Sequence, residues 1–254
     1  AIPAYRIALV RSLAKRGAWD SALATAEAAG AAPILGGAAG VYRLAVLAAW
    51  LGAVPREAAI RRRAAAARAT EGDSAGRAEL YWLDGVLAFA GGDSAALDAA
   101  ISGLVNTSPA VGSELRRSLA ALAQGLRGER EAAARELVAV DAPQAQRGYA
   151  GNAAYPVLNI VARMTAARWV AAQGRYVEAE MLLNGVSGVY TVHAGTSHAD
   201  MVWPLVELEL ARVAEAAGAP ETAAAHYREF LRVYDLAPPA HRDLVLAARA
   251  AVAR

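Results

Sequence analysis

Cysteine is absent from this 254-residue chain, and with it go disulfide cross-links, thiolate nucleophiles and cysteine-ligated zinc. Phenylalanine occurs twice, and Lys15 is the only lysine among 26 basic residues, so nearly every positive charge is a guanidinium. Neither sign of charge dominates. Those 26 face 24 Asp and Glu, a net +2, which supplies neither the basic excess of a nucleic-acid binder nor an acidic tail. Nucleic acid is therefore not an expected partner. Long apolar runs are missing as well: the nearest candidates, 41–54 and 155–172, are too short or carry Arg43, Arg163 and Arg168. A spanning helix needs roughly 18–20 apolar residues, so no membrane span is expected, and the expected location is the cytoplasm. Neither Gly36-Gly37 nor Gly91-Gly92 leads into the Gly-Lys-Ser/Thr ending of a phosphate loop, and no cofactor is expected. The chain begins at Ala1 without Met and is read as a processed protein or a piece of a longer one.

What is present is alanine and a recurring phrase. Hydrophobic residues make up 56% of the chain, with alanine the commonest, which favours close helix contacts over aromatic bulk. The phrase is a helix-forming run, a glycine, a turn, and an alanine one helical turn into a second run. It reads Gly17-Ala18-Trp19-Asp20-Ser21-Ala22, Gly128-Glu129-Arg130-Glu131-Ala132-Ala133, Gly174-Arg175-Tyr176-Val177-Glu178-Ala179 and Gly218-Ala219-Pro220-Glu221-Thr222-Ala223. Degenerate copies follow Gly52 and Gly91. The six marks at Gly17, Gly52, Gly91, Gly128, Gly174 and Gly218 are 35, 39, 37, 46 and 44 residues apart. A phrase at such a period signals stacked helical units, none of which buries its apolar face alone.

Runs before the marks keep apolar residues at helical spacing, as in Ile7, Val10 and Leu13, then Leu44, Leu47 and Leu51, then Leu80, Leu83 and Leu87. A second run follows each mark, so each unit reads as a helical hairpin closed by a glycine in the left-handed conformation. Breakers are expected at 30–33, at Thr107-Ser108-Pro109, at Asp141-Ala142-Pro143 and at Ala237-Pro238-Pro239. Two connections, 141–156 and 185–200, are longer than a hairpin array needs and are expected to be exposed loops or short irregular helices, candidates for functional insertions.

The glycine, aromatic and alanine at relative positions zero, two and five resemble the tetratricopeptide repeat. The last unit carries the likeness best, through Leu205, Leu208, Ala211, Gly218, Pro220, Ala223, Tyr227, Phe230 and Pro238. It is similar to the C-terminal repeats of large bacterial signalling proteins. The resemblance implies one all-α domain over 1–254, a right-handed solenoid of about six antiparallel helical hairpins, with a break or insertion at 141–156. It also implies a scaffold without catalytic residues. In such arrays the first helix of each hairpin lines a concave groove, about six and ten positions before the glycine. Those positions hold Arg11, Tyr42, Tyr81, Arg168 and Arg212, with Lys15 and Glu215 one turn on. Arginines in equivalent places suit an acidic or carboxylate-bearing protein or peptide, because guanidinium presents a planar fork of donors. The plainer reading makes them solvated helix residues.

Other constellations have bland readings beside the sharp ones. Arg61-Arg62-Arg63, with Arg56 and Arg68, is the densest charge cluster, but successive helical residues point about 100° apart and splay around the cylinder. His193, His198 and Asp200 lie within eight residues of one another and with Ser197 suggest a metal site or a nucleophile, yet their spacing fits no standard pattern and a polar loop is the simpler account. Trp19, Trp50, Trp82, Trp169 and Trp203 read as packing residues. The expected function is a non-catalytic protein-interaction scaffold, the repeat portion of a regulatory protein or an accessory subunit. The alternative is a ligand-sensing module that admits a small molecule near 141–156 or 185–200, and a third is a helical hydrolase or metal enzyme built on His193, His198 and Asp200.

Overall fold

The computed structural model describes residues 2–28, 37–107, 109–146, 154–187 and 198–254. Among these residues every regular element is helical. The α-helices in order are α1 Ile2–Lys15, α2 Trp19–Ala28, α3 Gly37–Trp50, α4 Arg56–Ala69, α5 Ser74–Ala90, α6 Ser94–Gly103, α7 Pro109–Leu126, α8 Arg130–Gln146, α9 Tyr155–Ala171, α10 Tyr176–Ser187, α11 Ala199–Ala216, α12 Pro220–Val233 and α13 Arg242–Val252. Short 3-10 turns at Leu104–Asn106 and Pro239–His241 precede α7 and α13. The all-α expectation holds, and no helix among the described residues is long and apolar enough to cross a membrane.

The recurring phrase is one hydrogen-bonded device used six times. At the end of α1 the Gly17 N–H donates to Ala14 O at 3.0 Å, and the next N–H, of Ala18, donates to Leu13 O at 2.8 Å. The same pair of bonds closes α3, α5, α7, α9 and α11 around the glycines at 52, 92, 128, 174 and 218, all at positive φ. This is the Schellman arrangement, which satisfies carbonyls that a helix end leaves open. One mark moves by a residue. At the third mark the left-handed glycine is Gly92, at φ +66, whereas Gly91 remains helical at φ −94. A Cβ at Gly91 would meet only the end of the Arg56 side chain, which can move aside.

The breakers behave unequally. Pro109 opens α7 and Pro238 and Pro239 follow α12 as expected. Residues 30–33 lie outside the described residues. Pro143, in contrast, does not stop α8, which runs on to Gln146. A proline there removes one backbone donor, and the helix is pinned nearby: Asp141 is fully buried, and its carboxylate accepts from Asn159 Nδ2 at 3.1 and 3.2 Å and Arg163 Nε at 2.7 Å. Within 141–156, residues 141–146 and 155–156 are helical, and 147–153 lies outside the described residues. For the second long connection, α10 reaches Ser187 and α11 starts at Ala199, and 188–197 lies outside the described residues.

Consecutive helices pack in pairs from α1 with α2 to α11 with α12, and odd-numbered helices also touch along the row α3, α5, α7, α9, α11. Helices α3, α5, α9 and α11 lie inside. Every residue of α3 from Ala39 to Trp50 is buried, and α9 and α11 are nearly as enclosed. On α4 only Ala58, Ala59 and Ala66 are buried, and on α12 only Ala223, Tyr227 and Phe230. Fully buried alanines such as Ala45, Ala48 and Ala78 let the inner helices approach closely. Trp19 and Trp82 are also wholly buried, so aromatic bulk contributes more to the core than composition suggests. Trp82 Nε1 donates to Ser118 Oγ at 2.8 Å, joining α5 to α7.

The first pair of helices also meets the last. Helix α1 packs on α11. The Leu236 N–H donates to Arg16 O at 2.8 Å, and the Arg16 guanidinium forks onto Asp235. Below this runs a buried relay in which Trp19 Nε1 donates to Tyr234 Oη at 3.1 Å, Tyr234 Oη lies 2.9 Å from His241 Nδ1, and His241 Nε2 lies 3.0 Å from Leu51 O. The carbonyl can only accept, so His241 carries its proton on Nε2 and Nδ1 accepts from the tyrosine. Burial and the Arg212 charge hold His241 below the ordinary histidine value, against the opposing pull of the Leu51 carbonyl.

Two measurements test this closure. Gly17→Ala should cost about 2–3 kcal/mol by urea unfolding, because left-handed strain adds to a Cβ placed 2.9 Å from Ala237 Cα. Gly128→Ala, with open space around it, should cost only the strain, about 1 kcal/mol; equal costs would contradict the close approach. The His241 contribution should be complete above the unfolded histidine pKa of about 6.5 and decline as pH falls below it, because the unfolded chain takes up the proton first. His241→Gln should flatten that part of the stability profile.

Candidate functional site

The C-terminal ends of the inner helices converge on one cluster. Trp50 ends α3, Phe89 lies in the last turn of α5, Gly125 in that of α7, and Arg168 and Trp169 in that of α9. Phe89 meets Trp169 edge-on, with centroids 6.2 Å apart, and a Cβ at Gly125 would overlap the Trp169 ring. Arg168 Cζ stands 5.6 Å from the centroid of Trp50, a cation–π distance. Helix C-termini carry partial negative charge, which favours an arginine there.

Glu209 of α11 organises the charges. Its Oε1 accepts from Arg168 Nε at 3.2 Å, Arg168 Nη2 at 2.9 Å and Arg212 Nη1 at 3.1 Å. The Glu209 side chain is 12% exposed, whereas Arg168 and Arg212 are 43% and 44% exposed. Two guanidiniums therefore share one sheltered carboxylate and keep one uncompensated positive charge at the surface. Each guanidinium has five N–H donors, and only three of these ten reach Glu209, so the cluster can receive a second carboxylate, with the buried Trp50 ring backing Arg168 from beneath.

The other residues singled out from the sequence fall in three places. Tyr42 is fully buried, and its hydroxyl donates to Asp84 Oδ1 at 2.5 Å. Burial and the Asp84 charge push that phenol far up. Arg63 forks onto the same Asp84 at 2.9 and 3.1 Å, and half-buried Tyr81 lies close by. Glu215, one turn beyond Arg212, accepts from Tyr227 Oη at 2.8 Å and Arg254 Nη2 at 2.9 Å. Burial and Glu215 push the Tyr227 phenol up to about 12. Arg11 and Lys15 are both on α1. Arg11 stands 3.9 Å from Asp200, and Lys15 is near enough to Glu229 to help lower its pKa behind the larger effect of Arg232. The structure thus joins Arg168 with Arg212, and Tyr42 with Tyr81's neighbourhood, as separate clusters.

The arginine triplet splays as helical geometry requires: Arg62 reaches Glu27 at 2.8 Å while Arg63 reaches Asp84 on a different helix. His193 and Ser197 lie outside the described residues. His198 is buried at the start of α11, and the described residues hold no group of three or more acidic or histidine side chains placed to bind a metal. Sequence reasoning missed Glu209 and Trp50 as parts of the arginine cluster. The spacing of Glu209 to Arg212, i to i+3 on one helix, was readable; the reach of Arg168 across 41 residues was not.

Compared with known proteins, the chain matches no family model, no curated protein and no solved structure.

Replacing Glu209 by Gln removes the shared counter-ion and leaves Arg168 and Arg212 facing each other. The half-exposed guanidiniums are screened by water, so the expected loss by urea unfolding is about 1 kcal/mol, and raising the salt concentration should reduce it. A loss unaffected by salt would show that Glu209 matters through packing instead.

Proposed function

We propose that the chain is a protein-interaction scaffold whose partner presents an acidic segment to the Arg168, Arg212 and Trp50 cluster. The observation that carries this reading is the pairing of two half-exposed guanidiniums on a single sheltered carboxylate. Arg is among the side chains that most often anchor protein interfaces, and a cluster left with net positive charge recruits carboxylates.

The proposed architecture is a tetratricopeptide-like, right-handed solenoid of about six antiparallel helical hairpins. Six turns of one hydrogen-bond pattern and the packing of helix pairs in chain order support it. In this reading the binding surface lies where the inner helices finish, with Glu215 one turn beyond Arg212, while Arg11 and Lys15 lie on α1, Arg11 near Asp200. Tyr42 then braces the array from within, and half-buried Tyr81 packs beside Gly103 of α6. Such a module fits the repeat portion of a larger regulatory protein or an accessory subunit of an assembly.

Charge reversal tests this directly. Partners recovered by affinity purification from the native organism and identified by mass spectrometry should bind the wild-type chain in a salt-sensitive manner. Arg168→Glu and Arg212→Glu should each lower affinity at least about tenfold, the cost of losing a charge-assisted contact and adding repulsion. Circular dichroism should show helicity unchanged, and equal affinity for both variants and wild type removes the cluster from the interface.

A further inference from the structure

Between α4 and α5, away from the arginine cluster just described, lies a cavity of about 360 Å³. Its wall carries Arg63, Arg68, Thr70, Arg77, Leu80 and Tyr81. Three guanidiniums stand there against one carboxylate, Glu71, in a protein whose whole net charge is only +2.

The three arginines differ in what they already hold. Arg63 is fixed, with Nε and Nη2 on Asp84 Oδ2 and that carboxylate held in turn by the Tyr42 hydroxyl. With Arg63 paired to Asp84 and Glu71 the one carboxylate on the wall, the exposed Arg68 and Arg77 leave the cavity with excess positive charge. Like charges on one small cavity raise its potential and draw an anion in. The aromatic wall is equally fixed: the Tyr81 ring packs where α6 has Gly103, at which a Cβ would come within 2.5 Å of the ring. Leu80 and Ala67 complete an apolar side. A volume of this size sits near the lower end of small-molecule sites, roughly 300–1,000 Å³.

We propose that this cavity binds a compact organic oxyanion, its phosphate or carboxylate head on Arg68 and Arg77 and its apolar body against Tyr81 and Leu80. Arg63, clamped by Asp84, sets the positive rim without moving. Arg168, Arg212 and Trp50 do not line this cavity, so the site stands or falls separately from the proposed protein contact.

Calorimetry on the whole chain at low ionic strength tests the site with three probes: phenyl phosphate, benzoate and inorganic phosphate. One equivalent of phenyl phosphate or benzoate should bind, and the tighter of the two identifies the head group. Arg68→Ala and Arg77→Ala should each weaken binding at least about tenfold, as expected for a lost charge-assisted hydrogen bond. Both side chains are exposed, so folding should be unaffected, with circular dichroism as the check. Tyr81→Ala should weaken the aromatic probes and leave inorganic phosphate unchanged. The proposal is overturned if no probe binds at about millimolar concentration, if binding survives both arginine substitutions, or if inorganic phosphate binds as tightly as the organic probes.

Discussion

Helix α3 has no wet face, and much of the molecule follows from that. All its residues from Ala39 to Trp50 are buried, including Tyr42 and Arg43. A buried polar group must be paired or it destabilises the fold, so its neighbour α5 brings Glu79 to Arg43 at 2.5 Å and Asp84 to Tyr42. Removing one partner of a pair as sheltered as Arg43 and Glu79 strands a charge and costs about 3–5 kcal/mol. The register of α5 on α3 is thereby specified by polar contacts that its apolar residues alone would not distinguish. Asp84 in turn clamps Arg63 of α4, so a constraint that begins in the core ends at a surface cavity.

The same logic explains why the two ends of the chain meet. In an open row of helix pairs, the inner helices at either end leave a flank exposed, and terminal units need a polar cap. Here α1 and α11 cover each other, and Leu51 packs against both the main apolar cluster and the smaller cluster of the last helices around Leu205, Tyr227 and Phe230. Polar groups enclosed by that contact are satisfied in series by Trp19, Tyr234, His241 and the Leu51 carbonyl. The relay fixes the histidine as a neutral donor, which is why its protonation is opposed. Gly17 is the narrowest point, since the segment after Tyr234 crosses directly over it.

Arginine is the dominant basic residue, and the structure uses it in two ways. Where a carboxylate is sheltered, as at Glu79, Asp141 and Glu209, a guanidinium crosses between helices and satisfies it. Where arginines outnumber nearby carboxylates, as around Glu209 and in the cavity of Arg68 and Arg77, positive charge is left facing solvent. A nearly neutral chain can therefore present local cationic sites that no count of charges reveals.

The sequence by itself determined the helices, their order and their ends, because these depend on local chemistry: spacing of apolar residues, and glycine where a helix must finish in the left-handed conformation. Even there Gly91 and Gly92 were indistinguishable on paper, since only the structure shows that Gly92 is the one at positive φ. Pro143 shows the reverse, a local breaker overridden by the anchorage of Asp141. Arg168 and Arg212 could be picked out by their common distance from a glycine. Only the tertiary structure decided that they share Glu209, that Arg168 lies over Trp50, that Tyr42 is interior, and that the first helices close on the last. Those contacts join residues tens to hundreds of positions apart, and no periodicity along the chain encodes which faces of separate helices come to lie together.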